Sequence, residues 1–181
     1  MQPKYFNRLK NDFFSIYNEK NIPKNNVGYF CALKDFLITN KKTLGVDILE
    51  IKDLIVFLDV EQPYDYVIDY KVFDMDAEVK KIANRDFNNP DDILDFIKFR
   101  LYEMVTHFVD KDCPHGCSSL MLTKLKKTSG ELLLLECPVC TLLENLDGSK
   151  YISDGDGELA LVNKNEAKNI ENENYGFNLL Y

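Results

Sequence analysis

The sequence predicts an α+β fold: N-terminal helices and an antiparallel sheet packed with a long helix, followed by a β segment bracketed by cysteines. Three observations lead there. Apolar residues recur at three- and four-residue steps around residues 4–20 and again around 90–109, which is the helical period. Residues 64–73 alternate with period two, which is the strand period. Two close cysteine pairs, Cys113/Cys117 and Cys137/Cys140, enclose a pair of apolar runs split by Thr128-Ser-Gly130.

The first helix, over about 4–20, follows Pro3, a residue tolerated in a first turn, and carries Phe6, Leu9, Phe13, Ile16 and Tyr17. It should stop before Pro23. Tyr29, Phe30, Leu33, Phe36 and Leu37 mark a second helix over 26–39, where Cys31 reads as a small core filler. Leu54-Ile-Val-Phe-Leu58 suits a buried strand. Tyr64, Tyr66, Ile68, Tyr70 and Val72 alternate with Asp65, Val67, Asp69 and Lys71, as expected of a half-buried antiparallel neighbour with one acidic face. Residues 76–85 suit a short helix.

Asn89-Pro90-Asp91-Asp92 is a strong helix start, because Asn caps, Pro fits the first turn and carboxylates complement the exposed amides. Ile93, Ile97, Leu101, Met104 and Phe108 then form a stripe expected to pack on the sheet along a helix of about 90–109, which runs directly into Cys113 and so docks the cysteine segment on the main domain. Leu120–Leu125 and Glu131–Glu136 form a hairpin in which Gly130 allows a positive φ. Asp147-Gly148 and Asp154-Gly-Asp-Gly157 supply further turns, with short strands at Tyr151-Ile152 and Leu159–Val162. Residues 163–174 are rich in Asn and Glu and resemble a tail, whereas the apolar terminus Tyr175–Tyr181 gains by docking. The organisation expected is an α+β domain over 1–110, a β segment over 111–162 and a C-terminal tail over 163–181.

A chain of 181 residues can bury one sizeable core, and a mean hydropathy of −0.28 suits a globular domain. No run approaches the roughly 18–20 apolar residues that cross a membrane. The first ten residues have no apolar signal core, so a cytoplasmic location is expected, where thiols stay reduced and paired cysteines more often hold metal than form disulfides. The net charge of −8 is uneven. Residues 1–46 carry eight Lys/Arg against three Asp/Glu, residues 47–95 five against fourteen, and residues 96–181 nine against thirteen. An acidic middle repels phosphate backbones and attracts basic partners.

The cysteine spacing is the strongest chemical signal. Two thiolates separated by two or three residues bend round one metal ion, and a second pair completes a tetrahedron. Cys113-Pro-His-Gly-Cys117 and Cys137-Pro-Val-Cys140, with nineteen residues between them (118 to 136), resemble a zinc ribbon: cysteine turn, hairpin, cysteine turn. The first pair departs from that pattern, with three intervening residues where two are commoner. The resemblance implies a Zn²⁺ ion held by Cys113, Cys117, Cys137 and Cys140. His115 or His107 as a substitute ligand is an alternative, as are four unmetallated thiols or two disulfides. Four thiolates leave no position open for water, so the ion's role would be structural.

Other chemistries fare less well. The deaminase Pro-Cys-x-x-Cys element needs a separate His-x-Glu, which neither His107 nor His115 supplies. Counted from Asp154, a calcium loop would need glycine sixth and glutamate twelfth, where Leu159 and Asn165 stand. There is no phosphate-cradling glycine loop and no Gly-x-Ser-x-Gly elbow. The run Tyr64–Tyr70 is the second feature with a possible function, as Tyr66 and Tyr70 supply contact area and Asp65 and Asp69 accept bonds from Lys or Arg of a partner. A core role for the tyrosines is the simpler alternative.

In character, with its small size, Asn/Lys/Ile-rich style and lack of catalytic motifs, the chain resembles the bacterial immunity proteins that neutralise toxins, often nucleases. That resemblance implies a non-enzymatic module whose acidic residues 47–95 cover a basic partner. The rival is a nucleic-acid-associated ribbon in transcription or translation, favoured by Lys124, Lys126 and Lys127 on the hairpin and opposed by the acidic pI of about 4.8. An enzyme with an unrecognised site is the third possibility.

Overall fold

A computed structural model describes residues 3–17, 25–44, 63–68, 75–173 and 175–180. The class is α+β. The chain divides into two compact units, Met1–Met104 and Val105–Tyr181.

Among its described residues the first unit is helical: α1 (Pro3–Ser15), α2 (Asn26–Asn40), α3 (Pro63–Tyr66), α4 (Met75–Ala83) and α5 (Pro90–Val105). Local chemistry starts two of these. Asn25 caps α2, its side-chain oxygen accepting the Gly28 N–H at 2.8 Å. Asn89 accepts the Asp92 N–H at 3.0 Å, and the Asp92 carboxylate accepts the Asn88 N–H at 2.7 Å, so α5 begins with two exposed amides satisfied. The helical periodicity is realised as burial of Leu9 and Phe13 on α1, Tyr29, Phe30 and Leu33 on α2, and Ile93, Ile97, Leu101 and Met104 on α5. Phe13 is the hub. Its ring meets Tyr17, Phe36, Phe87 and Phe96 edge-on, with centroids 5.4–5.8 Å apart. The buried hydroxyls of Tyr17 and Tyr29 satisfy each other at 2.6 Å, and burial raises both phenol pKa values. Buried Glu78 is held by Arg100 and Lys81, each at 3.0 Å.

Two expectations fail here. Tyr64–Tyr66 do not begin a strand. Pro63 sets the backbone for a first helical turn, the Val67 N–H closes on the Pro63 carbonyl at 2.8 Å, and the consecutive Val67 and Ile68 are both buried, which alternation forbids. The Ile68 backbone is instead fixed on both sides: its N–H donates to Met104 O at 2.9 Å, and its carbonyl accepts from the Asn26 side chain at 2.7 Å. The strand expected at 54–58 lies outside the described residues. Phe96 of α5 joins the aromatic cluster of α1. The helix also stops at Val105 rather than 109, because β2 claims the backbone that follows: Leu122 N–H donates to His107 O at 2.8 Å.

The second unit is built on a sheet of five antiparallel strands, β1 (Phe108–Asp112), β2 (Ser119–Lys127), β3 (Gly130–Glu136), β4 (Leu143–Asn145) and β5 (Glu158–Ala160). The central β2–β3 hairpin is in register from Met121↔Glu136 to Lys127↔Gly130, leaving Thr128-Ser129 as the two-residue turn. Along the other edge of β2, β1 pairs with its first half and β5 with its second, while β4 pairs with β3. Tyr151-Ile152 is not a strand, and an isolated bridge joins Glu144 and Lys150 instead. At the end of the acidic turn, Gly157 has φ +114, and a Cβ there would lie 2.8 Å from Leu125, so the missing side chain is what lets Leu125 bury.

Residues expected to form a tail are a helix, α6 (Lys164–Glu173). Asn163 accepts N–H groups from Asn165 and Glu166 at 3.0 and 2.9 Å, and Glu166 reaches back to the Asn163 N–H at 2.8 Å. This is a capping box, and it outweighs the polar composition. Ala167 and Ile170 turn inward to join Val109, Leu120, Leu122, Leu135, Val162 and Leu179 in the core of this unit. The terminus docks in cis on β1: Val109 bridges Leu179, Asp110 N–H donates to Asn178 O at 2.9 Å, and Leu180 N–H donates to Phe108 O at 2.8 Å.

Candidate metal centre

Each cysteine pair sits in the turn between two paired strands. Cys113 follows β1 and Cys117 precedes β2; Cys137 follows β3 and Cys140 precedes β4. The sheet therefore delivers both turns to one end of the β2–β3 hairpin. The four sulfurs lie within 4.8 Å of one another, and among the described residues they are the only group of this kind. Tetrahedral thiolates about 2.3 Å from a metal sit roughly 3.8 Å apart, so the quartet is close to the size one ion requires. Cys113 Sγ and Cys140 Sγ, 3.6 Å apart across the two turns, are far beyond the roughly 2.05 Å of a disulfide. All four thiols are free.

The unequal spacing of the two pairs is absorbed in the backbone. In the first turn the Cys113 N–H donates to Ser118 O at 2.9 Å; in the second, the Cys137 N–H donates to Leu142 O at 2.9 Å. Both turns are thus closed across the same six-residue span despite the extra residue. That residue is accommodated by Gly116, with φ +69, whose N–H donates to Cys113 O at 2.8 Å. The second turn uses Thr141, the one described non-glycine residue with positive φ, at +57, and its N–H donates to Cys137 O at 2.9 Å.

Sulfur is also hydrogen-bonded as a metal-binding turn requires. His115 N–H donates to Cys113 Sγ at 3.4 Å, and Cys140 N–H donates to Cys137 Sγ at 3.5 Å, with the Ser118 hydroxyl 3.6 Å from Cys137 Sγ. The Cys140 N–H is the largest influence on Cys137 and, with Ser118 and against burial, draws its pKa down to about 6. Cys117 is pushed up to about 12, chiefly by its contact with the Cys140 thiol. Cys113 and Cys137 are buried in the core of the unit, Cys140 is half-buried and Cys117 is exposed.

Of the alternative ligands, His115 places Nδ1 3.4 Å from Cys140 Sγ, beside a quartet that is complete without it. His107 is buried where α5 gives way to β1, outside the cysteine cluster. Ser118, which touches Cys137, is the residue that spacing arguments pass over; its only signal is its place after Cys117. The lysines offered as a basic edge are largely engaged. Lys124 is buried and meets Glu166 at 2.7 Å and Glu131 at 3.3 Å; Lys127 meets both oxygens of Asp154 at 2.9 and 2.8 Å. Burial works against the charge on Lys124, but the two glutamates raise its pKa above the ordinary value. Lys126 is exposed.

Of the residues considered for partner binding, Asp65 is exposed and Tyr66 half-buried on α3, while Asp69 and Tyr70 lie outside the described residues. Among the described residues no helix is long and apolar enough to cross a membrane. No family model matches the chain, and no curated protein or solved structure is similar to it.

Proposed function

We propose that this chain is a non-enzymatic protein-binding module, in which Cys113, Cys117, Cys137 and Cys140 hold one structural Zn²⁺ and an acidic surface meets a basic protein. The observation that carries the metal part is the quartet itself: four sulfurs within 4.8 Å, on two turns closed over equal spans. An all-thiolate donor set favours zinc among the common divalent ions, and it fills every position of a tetrahedron. A bound cation holds its thiols deprotonated, which offsets their mutual repulsion. Metal analysis of the purified chain should find close to one zinc per molecule. A folded, zinc-free protein would overturn this reading.

The partner is inferred from charge. Segment 47–95 carries five Lys/Arg against fourteen Asp/Glu, and Asp65, Asp86, Asp91 and Asp95 are exposed. Such a surface steers basic proteins toward it. A basic toxin such as a nuclease is the partner that fits the immunity-protein resemblance, its active site being covered by carboxylates in place of phosphates. The engagement of Lys124 and Lys127 by carboxylates weakens the rival nucleic-acid reading. Affinity capture with Asp65→Lys beside the native chain tests the surface: a captured partner retained unchanged at low salt would count against Asp65.

A further inference from the structure

We infer that Cys117 is a modification site, the thiolate through which a small soft alkylating electrophile attacks the metal centre. The inference rests on the zinc reading above. It comes from the unequal surroundings of the four sulfurs. Cys113 accepts the His115 N–H at 3.4 Å, and Cys137 accepts the Cys140 N–H at 3.5 Å and lies beside the Ser118 hydroxyl. Cys140 has His115 Nδ1 at 3.4 Å and the Leu142 N–H directed toward it. The hydrogen-bond contacts of Cys117 Sγ are instead with the Cys140 and Cys113 thiols.

Exposure runs the same way: Cys113 and Cys137 are buried and Cys140 is half-buried, while Cys117 is exposed. Its neighbours Pro114, His115 and Gly116 are exposed too. A hydrogen bond to a thiolate draws electron density from sulfur and blunts it as a nucleophile. In a zinc site all four sulfurs are thiolates whatever their free acidity, so reactivity is decided by access and by these donors. Cys117 leads on both counts. Cys31 is separate, being half-buried on α2 in the other unit.

In the reaction, Cys117 Sγ attacks the electrophilic carbon. The S–C bond forms as the bond from carbon to its leaving group breaks, and the leaving group departs with the bonding pair. The thiolate becomes a neutral thioether, the centre loses one negative charge, and its hold on zinc weakens.

The test uses the full chain, with zinc content measured first, and less than one equivalent of iodoacetamide near neutral pH. Peptide mass mapping then locates the carbamidomethyl group while a chromogenic chelator follows zinc. Cys117 should be labelled about tenfold faster than Cys113, Cys137 or Cys140, with zinc release following its labelling. Equal labelling of the four, or Cys140 first, in a zinc-loaded protein overturns the inference and leaves the zinc reading standing. A chain without zinc is recognised before reagent is added, and it removes the reading and the inference together.

Discussion

The two units reach stability by different routes. In the first, rings do the packing: Phe13, Tyr17, Tyr29, Phe30, Phe36, Phe87 and Phe96 are all buried, and several meet edge-on around Phe13. Each such ring buries about 150–250 Å². In the second, the core cluster is Val109, Leu120, Leu122, Leu135, Val162, Ala167, Ile170 and Leu179 with two of the four cysteines, and no buried aromatic residue belongs to it. Val105–Tyr181 is of the size at which a hydrophobic core alone rarely suffices and a metal or another staple is usual. The contrast explains why the cysteines sit where they do. Cys113 and Cys137 belong to this core and to the cluster that could hold a metal, so on the zinc reading a bound ion would add to the apolar mass at this end of the sheet.

Stripping the metal tests that contrast hardest. Chelation, or Cys137→Ser, should unfold the second unit, because structural zinc supplies roughly 10 kcal/mol or more of apparent binding free energy that is also folding free energy. Near-ultraviolet circular dichroism from the buried Tyr17–Tyr29 pair should persist while amide protection in β2 and β3 is lost. The reverse experiment is Phe13→Ala, expected to cost about 3–5 kcal/mol of first-unit stability, measured by denaturant melting, with zinc stoichiometry unchanged. If either change collapses both units together, the two do not have separate foundations.

How well each part could be foreseen follows the same division. Spacing alone located the four-cysteine cluster, because ligand geometry constrains residues that are near in sequence, and the hairpin between the pairs was legible from Thr128-Ser-Gly130. Over residues 64–68 the expected strand failed because alternation describes side chains, whereas Pro63 and the long-range bonds to Ile68 decide the backbone. The α6 helix carried a readable signal, Asn163-Lys-Asn-Glu166, which was hidden by a composition that looks like a tail. The docking of Asn178 on Asp110 has no local signature at all, since the partners are 68 positions apart.

A smaller effect probes whether the second unit also leans on charge. Lys124 is 8% exposed at its side chain and holds Glu166, which itself caps α6, as well as Glu131. Breaking a fully buried pair costs about 3–5 kcal/mol, but Glu131 is half-exposed and Glu166 a quarter exposed, so Lys124→Ala should cost nearer 1–2 kcal/mol in the zinc-loaded protein. Amide protection in α6 should fall before that in β3. An unchanged melting midpoint would show that the helix is held by Ala167 and Ile170 alone.

The finest distinction lies between the two cysteine turns, which close over equal spans with unlike residues at positive φ. Gly116 at φ +69 has open space where a Cβ would go, so Gly116→Ala meets no clash and isolates the backbone penalty, about 1 kcal/mol destabilising. Thr141 at φ +57 already bears that penalty, made worse by its branched Cβ. Thr141→Gly relieves about 1–2 kcal/mol of strain, against about 0.5–1 kcal/mol of added chain entropy in the unfolded state. It also loses an exposed hydrogen bond from Thr141 Oγ1 to Cys140 O at 2.7 Å, so the net gain should be small, about 0.5 kcal/mol. Chemical denaturation at fixed free zinc measures both variants on one scale. Opposite signs would establish that the turns are the same device built from a permissive residue and a strained one; a loss at both would mean that the Thr141 side chain contributes to the second turn in its own right.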